Sequence, residues 1–238
     1  MTEFSAECIA RLKRVSTATI TTQLFKRGFR NAFLQGVRPI GTYGGNMVGP
    51  AYTLRNIPAR EDIDRVEVFA NPEHPQRKAV EHAPAGKVLV MDCRGDARAA
   101  SGGEILMTRL LVRGAAGVVS DGGLRDSAAI ARMALPGFCA GPSAPLNLAV
   151  HHAVDIDVPI ACGGVAVYPG DMMVGDADGV VVIPAHLAEE VARDAAEQEI
   201  MEEFLLTRIQ GGARLPDTYP PNEATRAAYA AWRAARDG

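Results

Sequence analysis

The sequence predicts an α/β fold, because strand-like and helix-like segments alternate along the middle of the chain. A short apolar run at residues 87–91 ends at Asp92 and indicates a buried strand. Residues 104–113 carry apolar side chains at helical spacing, Gly114 is suited to end that helix, and residues 117–120 form the next apolar strand. Strands and helices that alternate in this way favour parallel pairing through helical crossovers.

The amino-terminal segment predicts a helix followed by a strand. Ser16 or Thr17 can cap a helix that Gly28 is placed to end. Residues 46–54 alternate loosely and include a Gly-Pro step, so we expect a strand with a kink. Residues 61–69 fit a short helix or a strand, and their pattern does not decide between the two.

The carboxyl-terminal third has a different pattern. Residues 158–184 contain short apolar segments separated by Gly, Pro and Asp turns, which is typical of a β-meander. A long amphipathic helix is predicted over residues 185–210, and a last helix over residues 222–236. Because no low-complexity linker interrupts the chain, we expect residues 1–238 to form one compact domain with a C-terminal helical extension.

The composition indicates an ordinary globular protein, with 47% apolar and 22% charged residues. A net charge of -3 argues against a nucleic-acid partner, which would favour a basic surface. The four cysteines include no closely spaced pair, so we expect them to be reduced and mostly buried. No signal peptide is visible, and no apolar run approaches the roughly 20 residues of a membrane helix. We therefore expect a cytoplasmic protein with no membrane partner.

Two polar loops are the candidate functional site. The run Ser101-Gly102-Gly103-Glu104 precedes a predicted helix, whose free N–H groups favour an anion such as a carboxylate. The run from Asp121 to Asp126 follows a predicted buried strand, where ligand sites of parallel sheets collect. Arg125 can bind carboxylate or keto-acid oxygens, and Asp126 with Glu104 can hold a hard divalent cation. Together they suit the stabilisation of an enolate.

A purely structural interpretation of these loops competes with the functional one. Asp-Gly-Gly is a common turn, and Arg125-Asp126 can be a capping residue beside a surface ion pair. From these residues alone the structural interpretation is favoured. The run at residues 175–179 is interpreted as a turn that joins two strands, because it lacks the terminal glutamate of an EF-hand. The adjacent His151 and His152 point in different directions in regular structure, so we do not expect them to share a metal.

A wider set of segments resembles the family of 4-hydroxy-4-methyl-2-oxoglutarate aldolases and regulators of ribonuclease activity A. The similar segments are residues 101–126, Gly163-Gly164-Val165, Pro169-Gly170-Asp171 and residues 175–184, and the resemblance covers roughly residues 15–210. Its most specific part is an acidic residue, twenty intervening residues and Arg-Asp, present here as Glu104 and Arg125-Asp126. The resemblance implies a β/β/α arrangement of the swivelling type. It also implies a homotrimer or a homohexamer with active sites between subunits.

The resemblance also implies a role for each site residue. The aspartate matching Asp126 holds a magnesium or manganese ion, and the acidic residue matching Glu104 acts through metal-bound water. The arginine matching Arg125 binds the oxygen of a 2-oxo acid. Backbone amides bind the substrate carboxylate, at the positions of Gly103, Glu104, Ile105 and Leu106.

A further metal contact is implied to come from the neighbouring subunit. In the aldolases, a glutamate of that subunit's C-terminal helix completes the site, again through water. Counting along the helix gives Glu202 as the first match and Glu199 as the second, and both fall on one helical face. The implication is that the helices of residues 185–238 pack on a neighbouring subunit.

Two functions are therefore predicted, and the first is preferred. The first is a metal-dependent lyase of the class II pyruvate aldolase type, which cleaves a 4-hydroxy-2-oxo acid to pyruvate and acts also on oxaloacetate as a decarboxylase. The second is a non-catalytic regulator that binds and inhibits a ribonuclease. Retention of Glu104, Arg125 and Asp126 favours the enzyme, because a regulator need not keep them.

Overall fold

The computed structural model describes residues 4–237, so residues 1–3 and 238 of the predicted domain lie outside the described part. The helices are α1 (Ala6–Leu12), α2 (Thr17–Lys26), α3 (Pro75–His82), α4 (Glu104–Val112), α5 (Ser127–Ile130), α6 (Ala188–Gln210) and α7 (Glu223–Asp237). The strands are β1 (Arg38–Pro39), β2 (Met47–Pro58), β3 (Val88–Asp92), β4 (Gly117–Ser120), β5 (Gly123–Leu124), β6 (Gly137–Cys139), β7 (Gly141–Pro142), β8 (His151–Ile156), β9 (Ile160–Cys162), β10 (Val165–Val167), β11 (Met172–Gly175) and β12 (Val180–Ile183).

One mixed sheet organises the molecule. Its strand order is β1-β6-β4-β3-β2-β11-β12, and β8 pairs with the far end of β2. The neighbours β6, β4, β3 and β2 are parallel, whereas β11 and β8 each pair with β2 in the antiparallel sense. The predicted α/β class with a parallel centre is confirmed. The length of β2 explains the mixture, because its first residues pair with β11 and its last residues pair with β8.

The sheet is covered on both faces, which gives a β/β/α arrangement. In β3, Val88 and Val90 face a core that includes the β9–β10 hairpin, whereas Leu89 and Met91 face the core beneath α3, α4 and α5. All five residues of β3 are buried, as expected for a central parallel strand. The antiparallel half has a third core, in which β11 and β12 pack against α1, α2 and α6.

Helix α6 has two parts with different packing. Ala188, Val191, Ala192 and Ala195 recur at helical spacing and are buried against α1 and α2 of the same chain. Further along, Phe204 contacts the aromatic rings of α7, with centroid distances of 5.6 and 5.5 Å. The first part of α6 therefore stabilises its own subunit. Packing of the C-terminal helices on a neighbouring subunit stays a prediction.

Several elements differ from the sequence prediction. The segment at residues 158–184 forms two hairpins, but β9–β10 is a separate sheet and only β11–β12 joins the main one, so the prediction of one meander was wrong. Helix α3 and strand β8 were not predicted. Both carry many polar residues, and α3 buries only Gln76, Ala79 and Val80, so neither has a clear apolar period. Residues 66–70 form a 3₁₀ helix.

The structure also bears on two composition-based expectations. All four cysteines are free and buried, as predicted. Across residues 4–237, no helix combines the length and the apolar character needed to cross a membrane.

Candidate active site

The two glycine-rich loops predicted as a site lie against each other. The backbone N–H of Ser101 donates to the carbonyl of Gly123 at 2.8 Å, and the N–H of Arg125 donates to the carbonyl of Gly102 at 3.0 Å. These bonds continue an isolated parallel bridge between residues 100 and 123. As a result, the start of α4 and the Arg125-Asp126 pair share one surface, as the sequence predicted from strand ends.

The Asp126 carboxylate sits at the amino terminus of α4. Its Oδ2 accepts from the backbone N–H of Glu104 at 3.1 Å and lies 3.6 Å from Nε of Arg125. Asp126 adopts a left-handed backbone conformation with φ 57°, which aspartate tolerates better than most residues. The side chains of Arg125 and Asp126 are 47% and 41% exposed, so both remain accessible to a ligand. The hydrogen bond to Glu104 and the ion pair between Arg125 and Asp126, which the structural interpretation predicted, are thus present. They nevertheless leave both side chains accessible to solvent.

Gly103 makes this close approach possible. A Cβ at this position would lie 2.6 Å from Oδ2 of Asp126 and 2.7 Å from Cγ of Arg125. Its φ of -142° is extended, so the requirement is steric and does not concern backbone conformation. Any larger residue would push the arginine and the aspartate away from the helix.

The amino terminus of α4 offers free hydrogen-bond donors. The first bond of this helix runs from the N–H of Met107 to the carbonyl of Gly103 at 3.1 Å. In the described part of the chain, the N–H groups of Ile105 and Leu106 donate to no acceptor. Unpaired N–H groups at the positive end of a helix form an anion site. The predicted carboxylate-binding role is therefore chemically available at Ile105 and Leu106, whereas the N–H of Glu104 is already bonded to Asp126.

A saturated polar scaffold lies behind the site. The buried carboxylate of Asp121 accepts from the N–H groups of Cys93, Gly95 and Gly163 at 2.6, 2.9 and 3.2 Å. Burial raises the pKa of Asp121, and these hydrogen bonds oppose the shift. Because its oxygens are occupied and its side chain is enclosed, Asp121 holds loops together and is not available to a ligand.

A cavity of about 290 Å³ opens in front of these groups. It contains most of the residues predicted from the sequence, namely Gly103, Ile105, Leu106, Arg125 and Asp126. It also contains Gln76, Arg77 and Asn147, which the sequence analysis missed. Gln76 and Arg77 belong to the unpredicted helix α3, and Asn147 lies in a short 3₁₀ turn before the unpredicted strand β8.

The residues present fit a magnesium or manganese ion in part. Glu104 is exposed, and within residues 4–237 Oδ1 of Asp126 accepts no hydrogen bond. Magnesium is usually bound by one or two carboxylates together with water. No group of three or more His, Cys, Asp or Glu side chains suited to a metal occurs among the described residues. The described residues therefore offer the Asp126 carboxylate in the cavity, whereas Glu104 is exposed at the start of α4 and does not line the cavity.

The structure does not bring Glu199 or Glu202 to the cavity of their own chain. Glu199 accepts from the N–H and the hydroxyl of Ser16 at 3.0 and 2.8 Å, and so holds the start of α2. Within residues 4–237, Glu202 accepts a hydrogen bond only from Gln198 of its own helix, at 2.8 Å. The contribution of either glutamate to a neighbouring subunit stays a prediction, and Glu202 is the less committed of the two.

The other polar segments have partners within the fold. Nδ1 of His152 lies 2.6 Å from Asp64, and Nε2 of His151 lies 3.4 Å from the carbonyl of Ala99. Residues 175–179 join β11 to β12, which confirms their interpretation as a turn. Within that turn Asp176 accepts from the N–H and the hydroxyl of Thr17, at 2.7 and 2.9 Å.

The fold and the site define a class of protein: a mixed α/β domain in which a helix amino terminus, an arginine and an aspartate meet at the ends of parallel strands. The family model described as RraA-like, Aldolase/RraA, matches residues 17–182. This chain belongs to the RraA-like family.

Individual relatives agree with this assignment. A protein of Halalkalibacterium halodurans that bears the name "Putative 4-hydroxy-4-methyl-2-oxoglutarate aldolase" is 32% identical over 203 residues, which are 85% of this chain and 89% of the relative. The crystal structure of Streptomyces coelicolor RraAS2, described as an unusual member of the RNase ES inhibitor RraA family, matches with a TM-score of 0.74 and 32% identity. That match covers 86% of this chain and 98% of RraAS2. An uncharacterized protein from Pseudomonas syringae matches with a TM-score of 0.76 and 26% identity, over 92% and 99% of the two chains.

Proposed function

We propose that this protein is a divalent-metal-dependent lyase of the class II pyruvate aldolase type. It cleaves a 4-hydroxy-2-oxo acid to pyruvate, and oxaloacetate is a second substrate that it decarboxylates. One observation supports this proposal above the others: Arg125 and Asp126 adjoin the free N–H groups of α4 in a single cavity. An anion site beside an arginine and an open carboxylate is what cleavage next to a 2-oxo acid requires.

Substrate binding follows from the donors in the cavity. The N–H groups of Ile105 and Leu106 bind the carboxylate of the 2-oxo acid, because they have no acceptor in the described part of the chain. Arg125 binds the adjacent oxo oxygen through its guanidinium group. The two contacts together fix the plane of the 2-oxo acid before the bond breaks.

Bond cleavage moves an electron pair toward the oxo oxygen. When the bond between C3 and C4 breaks, C3 keeps the pair and negative charge spreads to the oxygen at C2. Arg125 neutralises that charge, and it does so more effectively in a partly enclosed cavity than in water. The exposed carboxylate of Glu104 is the proposed acceptor of the proton of the 4-hydroxyl group, directly or through water, and the return of this proton to C3 of the enolate gives pyruvate. Asp126 would hold a magnesium or manganese ion, which would supply additional positive charge to stabilise the enolate.

The remaining parts of the proposal concern the assembly and its surroundings. We propose a homotrimer or homohexamer in which Glu202 of a neighbouring subunit adds a carboxylate through water, with Glu199 as the second choice. A small 2-oxo acid is the partner, with no nucleic acid and no membrane. We also propose that the protein is located in the cytoplasm, as expected from the sequence.

A regulatory function is the alternative, and the RNase ES inhibitor family named for RraAS2 supports it. A regulator would bind a ribonuclease through its surface and would not need an accessible Arg125 or Asp126. If the purified protein inhibits a ribonuclease at stoichiometric ratio and shows no lyase activity, the alternative replaces our proposal.

The test is a pyruvate-release assay across 4-hydroxy-2-oxo acids and oxaloacetate, with Mg²⁺ or Mn²⁺ and with chelator. We expect pyruvate release that chelator abolishes, and a loss of at least about 100-fold in kcat/KM for Arg125→Met, because this variant removes the charge that stabilises the transition state. Arg98→Met is the matched control, since Arg98 is 80% exposed and pairs with Asp96 on the surface. No pyruvate release from any substrate, or full activity in Arg125→Met, would overturn the proposal.

A further inference from the structure

Arg77 is a partly buried cation in the same cavity, and no anionic group among residues 4–237 pairs with it. It lines the cavity together with Gly103, Arg125 and Asp126. Its Nε is buried and makes no hydrogen bond among the described residues, and its guanidinium carbon lies 4.4 Å from the centroid of Phe69. Burial lowers the pKa of Arg77, and no carboxylate is present to oppose that effect. Desolvating a guanidinium without pairing it is unfavourable, so the absence of a partner needs an explanation.

The neighbouring cations show that carboxylate partners are available on this side of the molecule. Lys78, the next residue on α3, lies 2.6 Å from Glu73, and Arg109 on α4 lies 2.5 Å from Glu81. These two cations do not line the cavity, whereas Arg77 does. Of these three cations, Arg77 is therefore the one without an ion pair among residues 4–237, and it lines the candidate active site.

A second unpaired donor lies in the same cavity. Asn147 is only 6% exposed, and its Nδ2 has no hydrogen-bond partner in the described part of the chain. Buried amide groups normally have a partner, because an unpaired one loses its hydrogen bonds to water without replacement. Two adjacent elements thus each leave a donor unsatisfied at the wall of one cavity, which is typical of a site that a ligand completes.

We infer that Arg77 and Asn147 are the residues that bind the second carboxylate of a 2-oxo diacid substrate, and that they determine specificity at that end of the ligand. Arginine matches a carboxylate through two parallel hydrogen bonds, and an asparagine amide can donate a third. The inference extends our proposed function, in which the α4 amino terminus and Arg125 hold the 2-oxo acid end. It assigns the other end of the ligand to a residue pair that has no other evident role.

The inference is tested by calorimetric titration with two inert ligands that differ only at the far end. In 2-oxoglutarate that end is a carboxylate, and in 2-oxopentanoate it is a methyl group. We expect the wild type to bind 2-oxoglutarate more tightly, and Arg77→Met to weaken that binding by about ten- to one-hundredfold. Binding of 2-oxopentanoate should stay within about threefold of the wild-type value, because the methyl group makes no ion pair.

Two further variants separate recognition from structure. Arg77→Lys keeps the charge but loses the forked geometry, so its loss for 2-oxoglutarate should be smaller than that of Arg77→Met. Arg109→Met is the matched control, since Arg109 is ion-paired and lies outside the cavity, and it should bind both ligands as the wild type does. Equal weakening of both ligands in Arg77→Met, or no weakening of either, overturns the inference. Equal affinity of the wild type for both ligands also overturns it.

Failure of this inference can be told apart from failure of the proposed function. If the pyruvate-release assay is negative but the preference for 2-oxoglutarate is present and lost in Arg77→Met, the subsite stands and the lyase proposal falls. If the assay is positive and Arg77→Met leaves the ligand preference unchanged, the lyase proposal stands and the subsite falls.

Discussion

Asp121 and Asp126 lie five positions apart after the same strand, yet their surroundings are opposite. Asp121 is 4% exposed, and its two oxygens accept from three backbone N–H groups of other loops. Asp126 has a side chain that is 41% exposed and accepts from one backbone N–H. The first aspartate completes its hydrogen bonds inside the protein. The second keeps an oxygen available, which is the condition for binding a ligand.

This contrast distinguishes the structural scaffold around Asp121 from the wall of the cavity that is available to a ligand. The scaffold of β3, β4 and the loop at Gly163 satisfies the Asp121 carboxylate internally, so these hydrogen bonds need no ligand to complete them. The cavity wall, in contrast, contains hydrogen-bond donors that have no acceptor among the described residues. These donors belong to the start of α4, Arg77 and Asn147. Unpaired polar groups that persist beside a saturated scaffold indicate function, whereas saturated ones indicate stability.

The strongest test of the difference between the two aspartates is to make the same substitution at both. Asp121→Asn places an amide nitrogen against backbone donors and should lower the free energy of unfolding by roughly 2 to 4 kcal/mol. Asp126→Asn should lower it by less than about 0.5 kcal/mol, because asparagine tolerates the left-handed conformation and its oxygen can still cap Glu104. Chemical denaturation measures both values.

Activity should show the reverse order. On our proposal Asp126→Asn loses pyruvate release by about 100-fold or more, since it removes the negative charge that would hold a metal ion. Equal destabilisation by the two substitutions, or an Asp126→Asn enzyme with wild-type kcat/KM, would contradict the division between scaffold and site.

The next effect concerns the spacing between the two loops. Gly103→Ala places a Cβ 2.6 Å from Oδ2 of Asp126, so we expect a loss of about 1 to 2 kcal/mol in stability and a larger relative loss of activity. Gly44→Ala is the control, because no atom lies within 4 Å of its added Cβ and its φ is not positive. Thermal unfolding and the pyruvate assay are compared for both. A Gly103→Ala enzyme that behaves like the control would show that the close approach is dispensable.

The sequence predicted the central half of the site because that half lies at strand ends. The apolar runs of β3 and β4 and the glycines before α4 are local signals, and parallel pairing then places Gly103, Arg125 and Asp126 together. The fixed spacing from Glu104 to Arg125-Asp126 added the family and the expected roles. What the local pattern could not distinguish was Asp121 from Asp126, since burial depends on distant loops that close over one of them.

The other wall of the cavity could not be predicted. Arg77 and Gln76 belong to α3, whose buried face has three residues and no clear apolar period. Asn147 precedes β8, which begins with two histidines and pairs with the distal end of β2. These residues reach the cavity through long-range packing, and a single basic residue in a polar stretch carries no signal of being unpaired. Only the arrangement of its neighbours shows that Arg77 lacks a carboxylate.

The smallest effect is a pH dependence that compares two acids near the end of β3. Burial raises the pKa of Asp92, and the nearby charge of Asp121 acts in the same direction. Hydrogen bonds from Arg98 instead lower the pKa of Asp96, whose side chain is partly exposed, to about 2. A carboxyl whose pKa is raised on folding contributes stability below its unfolded pKa and loses that contribution as pH rises through the folded value. The stability of wild type relative to Asp92→Asn should therefore fall as pH rises above about 4, the pKa of an aspartate in the unfolded chain. The stability of wild type relative to Asp96→Asn should instead rise as pH increases from about 2 to 5, because a lowered pKa has the opposite sign. Urea denaturation at each pH measures both differences, and slopes of the same sign would show that Asp92 does not share the buried, saturated environment of Asp121.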